Sequence, residues 1–244
     1  MTALKAPRMN GSRVLTASCF ALVAMLVAAN QGAIAAKLGI FEHHSDIGIT
    51  PLKGKVHYDP ADERYTVTGG GANMWLKTDA FHFVYKKMSG DLSLTADVQF
   101  VGEGVEQHRK AALIIRQSLT PDSAYADVAV HGDGLTSLQY RTSAGETTQE
   151  MRSDVKAPAR IRILRQGDQF TIAAGAVGEE LKPTGPVTIV LKDPVYVGLA
   201  VCSHNANVTE TAIFSKVELS QPHSQSGNLM TTLALSHARK TIPF

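Results

Sequence analysis

The sequence predicts an all-β domain of the sandwich or barrel kind, on three observations. Apolar segments recur roughly every 8–12 residues, punctuated by Gly, Pro and Asp. Asp91–Val101 alternates without a break: Leu92, Leu94, Ala96, Val98 and Phe100 on one side, Ser93, Thr95, Asp97 and Gln99 on the other. That period of two marks a strand with one buried and one wetted face. No sustained helical period appears before residue 220. The 244-residue length fits one such domain.

The first segment is expected to lie outside that domain. Lys5, Arg8 and Arg13 precede the apolar stretch Val14–Ala29, and Ala33-Ile34-Ala35 fits a small-x-small cleavage site. Residues 1–35 therefore read as a secretory signal peptide, too short for a convincing membrane span. A retained, uncleaved anchor is the alternative. The expected location is periplasmic or secreted, with no integral membrane segment after cleavage near Ala35. The leader carries three of the 24 basic residues and no acidic one, so its removal turns the formal charge from +2 to −1. No electrostatic case for nucleic acid remains. Cleavage also removes Cys19 and leaves Cys202 alone, which excludes an intrachain disulfide and reads as an inert buried thiol.

The domain is expected over 37–220. Residues 37–50 read as a short strand and turn, and Gly54–Tyr58 with Arg64–Thr68 as a hairpin across Asp59-Pro60-Ala61-Asp62-Glu63. Gly69-Gly70-Gly71 permits close backbone approach but matches no phosphate loop. In Phe81–Lys86, Phe81, Phe83 and Tyr85 oppose His82 and Val84. Ala111–Gln117 is nearly all apolar before Arg116, as in a strand covered on both sides. Ala124–Arg141 reads as two strands joined at His131-Gly132-Asp133-Gly134, where Asp-Gly supplies positive φ angles. Ala159–Arg165, Gln169–Ala174, Val187–Leu191, Val195–Ser203 and Val208–Leu219 are further strands. Residues 221–244 read as a short helix or a disordered tail.

Several chemistries are excluded or unsupported. G-x-S-x-G and H-E-x-x-H are absent, and one mature cysteine cannot build a cysteine-rich zinc site. A strand-borne E-x-D-x-E carboxylate set is also absent, although a pair from separate strands, Asp97 with Asp127, stays open. His43, His44 and Asp46, or His131 with Asp133, have no recognised metal spacing and read as surface groups, and no cofactor is expected. Polar groups nonetheless fall opposite the core residues. If Val128 and Val130 point inward, Tyr125, Asp127 and His131 point outward, and likewise Gln139 and Arg141 opposite Leu138 and Tyr140. His82, Arg116, His204 and Asn205 could join them on one sheet face, and Trp75, the only tryptophan, is a sugar-stacking platform or a core anchor. A wetted sheet face is polar in any case, so a solvated role is the plain alternative for each.

The segments HSDIG, YDPA, GGGANMW, DAFHFVYKKMSGDLSLTADVQF, HRKAALIIRQSL, AYADVAVHGDGLTSLQYR and VYVGLAVCSHNANVTETAIFSKV occur in an order that resembles one bacterial module. It is similar to the concanavalin A-like lectin/glucanase sandwich found at the N-terminus of TolB-like proteins, over about residues 38–220. The resemblance implies a two-sheet antiparallel β-sandwich (jelly roll) and carries no catalytic residues. The chain departs from relatives that continue into a β-propeller. The expected function is an exported, non-catalytic module that recognises a glycan through an exposed sheet face. The alternatives are a glycan-active hydrolase or lyase with carboxylates on separate strands, and an envelope protein-interaction module.

Overall fold

The computed structural model describes residues 38–176 and 178–221. The expected signal peptide, and all of the expected tail after Gln221, lie outside the described residues. Strands are numbered in chain order. A front sheet runs β1 (His43–Ile47), β6 (Phe81–Met88), β15 (Val195–Cys202), β8 (Lys110–Arg116), β9 (Tyr125–His131), β10 (Thr136–Arg141), β11 (Gln149–Arg152). A back sheet runs β14 (Lys182–Thr188), β13 (Gln169–Gly175), β12 (Arg160–Gln166), β7 (Leu92–Phe100), β16 (Glu210–Ser220), β3 (Arg64–Gly69), β2 (Lys55–Asp59). A two-residue ladder joins β4 (Met74–Trp75) to β5 (Thr78–Asp79). Neighbouring strands pair antiparallel throughout both sheets.

Period-two alternation builds the main core. Leu92, Leu94, Ala96 and Val98 of β7 meet Leu113, Ile115, Val128, Val130, Val197, Leu199 and Val201 of the front sheet. Each fully buried Leu, Ile or Val contributes roughly 1.5–3 kcal/mol. The turn after β9 differs from expectation in detail. His131 N donates to Leu135 O at 2.8 Å and Gly134 N to His131 O at 3.0 Å, and Gly134, at φ 86°, is the left-handed residue. Asp133 keeps a negative φ, so this is a three-residue loop with a glycine bulge rather than a two-residue turn. The predicted strand Val187–Leu191 is displaced to β14, which carries Pro183 and Pro186. An edge strand tolerates prolines because no neighbour needs their missing N–H.

The front sheet is also buried on its outer side, against expectation. Phe81, Phe83, Tyr85, Ala112, Ile114, Tyr125, Ala129, Ala200 and Cys202 form a second apolar cluster there, closed by Ile47 and Met74. The expected exposed polar face is therefore largely covered. Its cover is the Gly69–Ala80 segment and its small β4–β5 hairpin.

Candidate functional site

The triple glycine sets the cover in place. A Cβ on Gly69 would stand 2.0 Å from Val201 O, and one on Gly71, at φ 113°, would stand 2.0 Å from Ala80 O. Only glycine lets the chain lie this close to the sheet end and to itself. Met74 then buries its side chain in the outer cluster. Asp79 is the polar fastening. Arg141 donates to both of its carboxylate oxygens, at 2.9 and 3.1 Å, and Arg116 Nη2 stands 3.4 Å from Oδ2. Backbone bonds add to this: Asp79 N donates to Pro121 O and Thr148 N to Leu76 O, both at 2.8 Å.

This cover divides the outer face of the front sheet. Arg116, Tyr125 and Arg141, expected as binding residues, lie fully buried beneath the hairpin and serve to hold it. Burial pushes the Tyr125 phenol well above its ordinary range. Asp127 lies fully buried on the same face, and burial likewise pushes its carboxyl well above the usual carboxylate range. His82 is not on this face. It alternates with Phe81 and Phe83 and projects to the inter-sheet side, where its Nδ1 lies 2.7 Å from Asp46 Oδ1 and its Nε2 3.1 Å from His44 Nδ1. Burial holds the His82 imidazole below its ordinary pKa. Asp97, on the outward side of β7 in the back sheet, pairs with Arg160 at 2.7 Å and Lys216 at 2.9 Å. Asp97 and Asp127 thus face away from opposite sides of the sandwich and share no groove.

Where the cover ends, a cleft of about 200 Å³ opens over β8, β9 and β10. Of the expected residues it takes in Trp75, His131 and His204. It also takes in Gln139, expected on the outward face beside Arg141, and adds Asn73, His108, Lys110, Glu150 and Arg152, which sequence reasoning did not single out as site residues. Strand register assembles the floor: Lys110 pairs with His131, and Gln139 with Glu150. Gln139 Nε2 lies 3.2 Å from His131 Nε2. The His108 ring stands edge-on to His131 and His204, with centroids 5.7 and 5.5 Å apart. His204 is held at φ 58°, a left-handed conformation uncommon for a side-chain-bearing residue. Asn205 sits at the loop beside it and donates to Glu106 Oε1 at 3.0 Å, without lining the cleft.

Burial, reinforced by the Lys110 ammonium, pushes the His131 imidazole down to about 3, and the same two causes lower His204. Both rings are neutral at neutral pH. His131 Nδ1, His204 Nδ1 and Gln139 Oε1 are buried without a hydrogen-bond partner in the protein, which leaves donor and acceptor capacity for a ligand. His108, His131 and Asp133 offer metal-ligating atoms within 4.8 Å of one another. Lys110, the cross-strand partner of His131, sets a positive charge beside that group and works against a divalent cation. On the other side of Trp75 lies an apolar cleft of about 450 Å³, bordered by Ile49, Pro51, Leu76 and Pro121.

No family model matches the chain, and no curated protein matches it in sequence. Solved structures do match. A functionally unknown protein from Saccharomyces cerevisiae aligns with a TM-score of 0.55 at 15% identity, over 73% of this chain and 96% of that one. Lectin II from Ulex europaeus aligns with a TM-score of 0.46 at 7% identity, over 74% and 98%. The alginate lyase AlgAT5 from Polysaccharide Lyase family 7 aligns with a TM-score of 0.44 at 10% identity, over 72% and 93%. The fold is a two-sheet antiparallel β-sandwich, shared with that yeast protein. At these identities the likeness speaks for the fold alone.

Proposed function

We propose that this chain is an exported, non-catalytic module that binds a glycan in the cleft between Trp75 and the histidine-lined floor. The observation that carries this reading is the union of two features in one concavity. A half-exposed indole stands on a fastened hairpin, and the same cleft is lined by unpartnered polar atoms: the His131 ring nitrogen and the Gln139 amide oxygen on paired strands, and the His204 ring nitrogen in the loop after β15. Sugars offer apolar C–H faces for stacking and hydroxyls for paired hydrogen bonds, and such a wall and floor meet both. The sheet face first expected to bind is covered, so the ligand's place is at the margin of the cover rather than along the strands. Export is supported by the leader's basic and apolar regions, and by the resemblance to the sandwich of TolB-like proteins.

A two-carboxylate hydrolase is disfavoured by the opposite placement of Asp97 and Asp127. Affinity electrophoresis of the chain through gels carrying different polysaccharides, followed by Trp75→Ala in the gel that retards it, tests the proposal. Retardation that the variant abolishes supports it. A folded chain that no polysaccharide retards overturns it.

A further inference from the structure

Among the described residues, four buried Arg and Lys side chains meet a carboxylate and a fifth does not. Arg116 and Arg141 share Asp79, Arg109 pairs with Glu210 at 2.7 Å, and Arg165 pairs with Asp193 at 2.6 Å. Lys110 is only 2% exposed, yet its Nζ reaches neutral acceptors alone: Asn73 Oδ1 at 2.8 Å and the His108 carbonyl at 3.4 Å. Among the described residues no carboxylate lies within 4.0 Å of it. Glu150 on the cleft floor is engaged by Arg152 at 2.9 Å, and both carboxyl oxygens of Asp127 on the same face are buried without reaching Lys110 Nζ or any other partner. The three histidines around Lys110 bring no negative charge. A buried ammonium without a counter-ion is unfavourable unless something pairs with it. This one lines the cleft.

We propose that the glycan is anionic, and that a carboxylate or sulfate group of a sugar completes the pairing of Lys110 Nζ. This rests on the reading of the cleft as a glycan site and names the class of sugar that the site takes. The acidic group meets an ammonium that is itself buried in the cleft floor, so its attraction is screened less than at an open surface. Gln139 and the neutral rings of His131 and His204 take the hydroxyls of the same residue. The Trp75 indole borders both clefts, so a polymer can continue across it onto the shelf of Ile49 and Leu76.

The test is calorimetric titration of the full chain with four polymers: polygalacturonate, its methyl ester, dextran sulfate and dextran. The expected result is binding of polygalacturonate, dextran sulfate or both, at least tenfold tighter than the methyl ester and dextran. Which of the two anionic polymers binds identifies carboxylate or sulfate as the group recognised. Lys110→Met keeps the aliphatic stem and is expected to lose at least tenfold in affinity for that polymer while its thermal midpoint is retained. Should that variant not fold, competition on the unaltered chain decides: free galacturonate, or a monosaccharide sulfate, displaces the polymer where galactose does not. Equal binding of the methyl ester or dextran, or an unchanged affinity in folded Lys110→Met, overturns the anionic inference and leaves glycan binding standing. Failure of the folded chain to bind any polymer overturns both.

Discussion

Asp79→Asn removes one negative charge and almost no volume, and its cost is set by what it leaves behind. Arg141 donates to both carboxylate oxygens, Arg116 approaches Oδ2, and all three side chains are essentially inaccessible to water. Breaking a buried pair from one side typically costs about 3–5 kcal/mol, because the remaining charge stays buried and uncompensated. Arg141 retains carbonyl partners at Leu76, Ser123 and Glu146, and Arg116 retains Thr120 O. The lower end of that range, about 3 kcal/mol, is therefore expected. For a domain of this size each kcal/mol moves the midpoint by roughly 2–4 °C, so Tm should fall by roughly 6–12 °C. Urea unfolding reads the free energy and a thermal melt reads Tm, both followed by Trp75 fluorescence, since this residue stands on the hairpin that Asp79 holds. The native emission of the variant should also shift to the red as the hairpin loosens. A loss below about 1 kcal/mol with unchanged native emission would refute the assignment of Asp79 as the fastening.

Other outcomes follow from the same face. Trp75→Ala should weaken binding of whichever polymer the chain takes by roughly tenfold, about 1.4 kcal/mol, with little change in urea midpoint; a titration of the variant checks it. His131 has its folded pKa near 3, below the ordinary value of 6.5. The unfolded chain therefore takes up that proton first as pH falls, so stability is unaffected above about 6.5 and declines from there toward 3, by at most about 1.4 kcal/mol per pH unit. His131→Gln should flatten this part of the stability profile, and an equally steep acid limb in the variant would count against it. Asp127 has the opposite sign. Its folded pKa is raised, so the burden it places on stability grows as pH rises above about 4, and Asp127→Asn should gain stability at pH 8 and lose that advantage near pH 4. Cys202 is fully buried and its thiol is pushed up to about 11, so a disulfide reagent should label it only after denaturant is added.

The strands were largely legible because alternation reports directly on which side of a sheet a residue lies. Val128 and Val130 point into the sandwich and Asp127 and His131 away from it, as the pattern requires. The same rule set His82 with Val84 opposite Phe81 and Phe83, but both sides of Phe81–Lys86 carry apolar residues, so the pattern did not say which side faces the other sheet, and His82 was expected on the wrong one. The cover was not legible. A two-residue ladder has no period to detect, and its fastening joins residues 37 and 62 positions apart. Without the cover, every outward polar residue reads as exposed. Lys110 was equally hard to single out, since it becomes a neighbour of His131 only once the register of β8 and β9 is known, whereas alternation already set Gln139 on the outward face. β14 was displaced because Pro183 and Pro186 argue against a strand anywhere but at an edge, and edges are a property of topology.

The Arg116–Asp79–Arg141 fastening also bears on the entropy of recognition. It acts before any ligand arrives, so the wall carrying Trp75 already stands at its binding position, and the opposing floor is made of sheet. A sugar entering the cleft meets a wall already in place and, on the floor, side chains of β8, β9 and β10 held by the sheet, which leaves little to order beyond the loops of His108 and His204. Its association should therefore be fast for its affinity, and mutations at the fastening should act mainly by returning disorder to the wall rather than by removing any contact with the ligand.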